Sequence, residues 1–137
     1  MANKESSIAY ENLNRRIFPG VGEYGIPRLE AETFDGNCEF VGFNYARGNC
    51  RNPEKKAVHF FIDDYQFDAL WRNVDRYVDK LRQFQYVLTP DFSTYTDFPK
   101  AIQIYNHYRK HWVGAYLQEY GCRVIPTISW STPESYA

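Results

Sequence analysis

Three acids occupy places where a fold can put them to work. Asp63 and Asp64 close the run AVHFFIDD, and Asp91 follows QYVLTP with Ser93 and Tyr95 just behind it. Each run is short, apolar and strand-like, so each acid falls where a strand gives way to the next segment. In a parallel sheet, chemistry gathers outside the carboxyl ends of the strands. Oxygen ligands converging there suit Mg²⁺ or Mn²⁺, and two carboxylates at one edge can also divide acid and base roles. A purely structural role competes with this. An acid after a strand caps the next helix and favours its positive end. Asp63, Asp64 and Asp91 are the catalytic candidates, with Asp63 and Asp91 as candidate metal ligands. Ser93, Tyr95 and Trp130 are candidate binding residues at the same edge.

A second group lies in the stretch FNYARGNCR. Phe43, Asn44, Tyr45, Arg47 and Arg51 place rings beside cations, with Lys55 and Lys56 following. That mixture can hold single-stranded nucleic acid. A solvated loop is the favoured explanation, because the net charge of −1 supplies no attractive field for a polyanion.

His107 and His111 are four apart and share one helix face. No Glu stands between them, and Arg109 and Lys110 repel a cation, so the expectation is a solvated basic face. His59 sits alone in a strand and reads as structural. Cys38, Cys50 and Cys122 form no metal spacing and no complete disulfide set, so they read as structural thiols. Gly20-x-Gly22-x-x-Gly25 has the letters of a dinucleotide fingerprint. No strand precedes it and Pro27 follows it, so it reads as a chance match in a loop.

The elements that must position these residues follow from periodicity. CEFVGFNYAR alternates Val41, Phe43 and Tyr45 and predicts a strand. Residues 65–82 put Phe67, Leu70, Trp71, Val74, Tyr77, Val78 and Leu81 on one helical face. Residues 98–120 predict a second helix with Ala101, Tyr105, Tyr108, Trp112, Ala115 and Tyr116 inside and Gly121 capping its end. CRVIPTISW predicts a further strand, and Pro126 suits an edge. Residues 6–17 predict a short helix. Apolar strands alternating with amphipathic helices imply an α/β fold: a small, mostly parallel sheet of βαβαβ type with helices packed on it. A length of 137 residues fits one domain, with residues 1–36 as an N-terminal helix and Gly/Pro-rich loop and 37–137 as the α/β core. Aromatic residues make up 18% of the chain, which an aromatic core explains first and a contact surface for some of the rings explains second. No stretch reads as a signal peptide or a membrane span, so a reducing cytoplasm is the expected location.

The stretches HFFIDDYQFDALW, LTPDFSTYTDFPKAIQIYNHYRKHWVGAYLQEYG and RVIPTISW resemble the DUF4417 family of bacterial, phage and mobile-element proteins. The resemblance covers roughly residues 24–137, and its D-D-Y-x-F and P-D-F-S-x-Y segments carry it. It implies no established activity and no cofactor. Family members look longer, so the chain resembles their N-terminal part and reads as a βα series cut in mid-unit. The expectation that follows is a phage or mobile-element accessory protein. It would bind a host protein or protein–nucleic-acid complex, for example as an anti-CRISPR-like inhibitor of host defence, or pair as a homodimer through the C-terminal sheet edge. The alternative is a metal-dependent hydrolase or phosphoryl-transfer enzyme using the strand-end acids.

Overall fold

The computed structural model describes residues 17–34, 36–62, 66, 68–90, 92 and 99–127. A four-stranded sheet runs through it in the order β3 (Glu39–Gly42), β4 (Lys56–His59), β5 (Tyr86–Leu88), β6 (Val124–Ile125), and every neighbouring pair is parallel. A separate antiparallel pair, β1 (Gly20–Val21) and β2 (Ile26–Pro27), precedes it. The helices are α1 (Phe43–Ala46), α2 (Asp68–Arg72), α3 (Val74–Leu81) and α4 (Lys100–Glu119), with a 3₁₀ turn at Pro53–Lys55. The α/β class expected from the sequence is the class observed.

Register explains where the core sits. Val41, Val58 and Val87 pair in line across β3, β4 and β5, and Val87 pairs with Val124 of β6. Side chains alternate faces along a strand, so these valines share one face. They join Leu70, Val74, Tyr77, Val78, Leu81, Trp112, Val113 and Leu117 in one cluster. All the longer helices therefore pack on that face. The opposite face carries Ala57, Tyr86 and Leu88, packed with Cys38 and Ile125. Phe34 meets Tyr86 edge-on at 4.9 Å, and Arg123 lies over the same ring while paired with Glu32.

Several sequence expectations need correction. The strand expected through Tyr45 stops at Gly42, and Phe43, Asn44 and Tyr45 lie on α1 instead. Phe43 and Ala46, three apart, both point into the core, a contact that helical spacing allows and strand alternation does not. The single helix expected over 65–82 is two helices broken at Asn73, whose φ of −149° is not helical. Asn competes with the helix for its own backbone groups and is a poor interior residue. The apolar stripe survives the break: Leu70, Trp71, Val74, Tyr77, Val78 and Leu81 are all buried.

Helix α4 and its end match expectation. Gly121 takes φ +96°, its N–H donates to the Gln118 carbonyl, and the N–H of Cys122 reaches the Leu117 carbonyl, the double closure of a left-handed cap. The inner face of α4 is only half as expected. Trp112, Ala115 and Tyr116 are buried, but Ala101 and Tyr105 are exposed, and Gln103, Asn106 and Lys110 are buried in their place.

In the glycine-rich stretch 20–25, Gly20–Val21 forms β1 and residues 22–25 form the turn of the β1–β2 hairpin, with β2 rather than a helix next. A Cβ on Gly20 would lie 2.5 Å from the Gly25 carbonyl oxygen, so the two chains approach too closely for any side chain there. Strand β6, followed at once by Pro126, is an edge of the described sheet. The helix expected over 6–17 lies outside the described residues apart from Ile17.

Candidate functional site at the carboxyl edge of the sheet

Parallel strands bring all their carboxyl ends to one edge, and that edge is lined with polar groups. At the end of β3, Gly42 gives way to Asn44; at the end of β4 stands His59, in register with Gly42. A Cβ on Gly42 would lie 2.5 Å from Asn44 Oδ1 and 3.5 Å from His59 Cε1, so the glycine makes room for both side chains. Asn44 Oδ1 is buried and has no hydrogen-bond partner among the described residues. His59 Nδ1 accepts the N–H of Phe61 at 3.2 Å, which puts the proton of the neutral ring on Nε2. Burial lowers the His59 pKa, and Phe61 stacks on the ring at 5.6 Å.

At β5 and β6 the edge continues with Thr89 and Thr127. Their hydroxyls are 2.9 Å apart, and the Thr127 N–H donates to Thr89 Oγ1 at 2.8 Å. Helix α4 leaves from the carboxyl end of β5 and returns to the amino end of β6, so its first half lies over this edge. That half buries Gln103, Asn106 and Lys110, spaced three and four apart on one stripe. Lys110 Nζ donates to the Thr127 carbonyl at 3.1 Å. A neutral imidazole, an amide, two hydroxyls and an ammonium thus line one edge. Thr89, Thr127 and Lys110 bond one another, whereas Asn44 Oδ1 has no partner among the described residues. Among the described residues, no group of three or more His, Cys, Asp or Glu could hold a metal ion.

Of the residues expected here, Asp63, Asp64, Asp91, Ser93, Tyr95 and Trp130 lie outside the described residues. The strands that precede Asp63 and Asp91 are β4 and β5, which are adjacent and parallel. The binding candidates around α1 are dispersed. Phe43 is fully buried, stacked on Phe60 at 5.2 Å and edge-on to Tyr77 at 5.5 Å. Tyr45 is 72% exposed. The Arg47 guanidinium donates to the Tyr77 hydroxyl at 3.0 Å and lies over the Phe43 and Tyr77 rings. Lys80 ties the same loop down through the carbonyls of Arg47 and Gly48. Arg51 is exposed.

Of the exposed rings that were not among the sequence candidates, the two most exposed are Phe61, 62% exposed just past β4, and Phe40, 53% exposed on β3. Alternation marks Phe40 as opposite in face to Val41, but only the sheet order shows that its strand is an edge. The buried stripe Gln103–Asn106–Lys110 was also missed. Its only signal is helical spacing among residues that ordinarily face water.

The expected solvated basic face around His107 and His111 needs correction. The His111 ring reaches the Pro27 carbonyl at 3.2 Å, and its pKa is lowered by burial and by Lys110. Burial, His111 and Lys110 together lower His107 to about 4. Arg109 turns its guanidinium onto the rings of Phe92, Tyr105 and Trp71, at 4.0, 5.0 and 5.7 Å. At the amino end of the sheet, a cleft of about 580 Å³ is lined by Cys38, Lys55, Lys56 and Gln85 among others. Among the described residues, no helix is long and apolar enough to cross a membrane.

Comparison with known proteins adds ancestry. The chain is 38% identical over 134 residues to the Gene 1 protein of Mycobacterium phage D29, covering 93% of the chain and 47% of that protein. It is 49% identical over 80 residues to the Gene 1 protein of Mycobacterium phage L5, covering 58% of the chain and 35% of that protein. The chain therefore spans less than half the length of either relative. No solved structure matches it significantly. The domain of unknown function DUF4417 matches residues 18–137, and the chain belongs to that family.

Proposed function

We propose that the chain acts as a phage accessory protein by binding a host macromolecule, with inhibition of a host defence system as one form of that action. Its phage relatives support the accessory role. One observation carries the binding: large rings are exposed on and just past β3 and β4. Phe40 is on β3, Tyr45 follows three residues past its end, and Phe61 follows β4, at 53%, 72% and 62% exposure. Large rings held in water beside an edge strand are what a partner surface supplies. Arg47 and Arg51 flank them on the same connection and would meet acidic or phosphate groups of a protein or protein–nucleic-acid complex. The expected setting is the host cytoplasm.

The test compares the wild-type chain with a Phe40→Ser, Tyr45→Ser, Phe61→Ser triple variant, each crosslinked in an extract of the phage's host. A specific protein or protein–nucleic-acid species recovered only with the wild type, at equal thermal stability, supports the reading. Identical recoveries with both chains overturn it. A homodimer would appear instead as self-crosslinking of the wild type.

A second reading has its own support. Asp63, Asp64 and Asp91 follow adjacent parallel strands, and the Lys110 ammonium is held at the same edge. That arrangement favours a metal-dependent hydrolase or phosphoryl-transfer site using Mg²⁺ or Mn²⁺. Mn²⁺ binding that disappears in Asp91→Ala would select it over the binding reading.

A further inference from the structure

Helix α4 carries a feature that neither reading uses. His107 and His111 are one turn apart, and their ring centres are 4.6 Å from each other. Both residues are partly exposed. His111 Nδ1–H donates to the Pro27 carbonyl at 3.2 Å, which orients the ring and keeps the proton on Nδ1, leaving the lone pair on Nε2. His107 Nδ1 is buried and has no hydrogen bond among the described residues. We propose that His107 and His111 form a two-imidazole binding site for a late first-row divalent cation of Cu(II) or Ni(II) type, with water completing the coordination.

The ring spacing allows both imidazoles to meet one ion. A metal–nitrogen bond of about 2.1 Å places each ring centre about 3.2 Å from the ion. Two rings on one ion at about 90° then lie about 4.5 Å apart, and at the tetrahedral angle about 5.2 Å. The observed 4.6 Å lies within reach of two imidazoles on one ion, and Cu(II) and Ni(II) bind nitrogen donors more tightly than the earlier divalent ions. The neighbouring cations are engaged elsewhere: Lys110 Nζ on the Thr127 carbonyl, and Arg109 on the Phe92 ring and Asn106 Oδ1. Lys110 still acts on both imidazoles through space and weakens the site.

The experiment uses the untagged chain with Cu²⁺ and Ni²⁺ at pH 7. Electron paramagnetic resonance of one equivalent of Cu²⁺ reads the ligands directly, without a variant. Coupling to two imidazole nitrogens is expected, unchanged in His59→Ala. Titration calorimetry with Ni²⁺ should show one site, weakened about tenfold or more in His107→Gln and in His111→Gln. Circular dichroism identifies a variant that has lost its fold. A copper spectrum with fewer than two imidazole nitrogens, or Ni²⁺ binding unchanged in folded variants of both histidines, overturns the site. Neither outcome bears on the aromatic surface, whose test contains no metal.

Discussion

Lys110, in the middle of α4, donates to the carbonyl oxygen of Thr127, 3.1 Å away, and only 1% of the residue is exposed. The bond ties the long helix to the segment that follows β6. The neighbouring hydroxyl pair Thr89–Thr127 ties that segment to β5. Lysine in this position is expected to matter through both its stem and its charge. Lys110→Ala should destabilise the fold by about 2 kcal/mol or more, because a charge-assisted bond and a buried stem are lost together. Lys110→Met keeps the stem and should cost less. Urea denaturation of both variants checks the order, and equal losses would show that packing plays no part.

Trp71 stands at the centre of an aromatic group. Trp112 meets it edge-on at 5.5 Å, and Phe92 and Tyr105 do so at 6.4 Å. Trp71→Ala is expected to cost about 3–5 kcal/mol, since a large buried ring leaves a cavity. The denaturation midpoint measures this, and an unchanged midpoint is incompatible with the packing described.

Gly42→Ala should destabilise by about 1–3 kcal/mol, because the new methyl would sit in the space of the Asn44 amide. The mechanism has its own signature. In an Asn44→Ala background the same substitution should cost much less, since the colliding atom is gone. A double-mutant cycle reads that coupling. Additive costs would place the strain elsewhere.

Cys122 is buried at the end of α4, and burial raises its thiol to about 11. A raised folded-state value favours the neutral thiol. Its contribution to stability is therefore full below about pH 9, the ordinary thiol value, and is lost as pH rises towards about 11. Cys122→Ser should flatten that alkaline loss in a pH series of melting temperatures. At pH 8 a thiol reagent should modify Cys38 and Cys50, both half-buried, well before Cys122.

Much of the fold was legible in the amino-acid order because it rests on local periodicity. The apolar stripe from Leu70 to Leu81, the long run of α4, the cap at Gly121 and the strand-like runs around Val58 and Val87 require only nearest neighbours along the chain. The family is likewise carried by contiguous stretches. What the order of residues left open was decided by partners distant in sequence. Periodicity says that Gln103, Asn106 and Lys110 share one face of α4, and that Tyr105 and Tyr108 share another. It does not say which face meets the protein. The polar one is buried because it lies over the carboxyl edge, where the Thr127 carbonyl accepts the charge that Lys110 brings in. Likewise, nothing next to Phe43 shows that the strand ends at Gly42. The turn into α1 lets Phe43 bury against Phe60 and Tyr77. For the candidate site, local order located the strand runs that end at the sheet edge, while Asp63, Asp64 and Asp91 lie outside the described residues. Its polar row of Asn44, His59, Thr89, Thr127 and Lys110 comes from five separate segments, and only the parallel sheet sets them side by side. A buried polar group is stable only when a partner meets it, and that partner is supplied by tertiary packing.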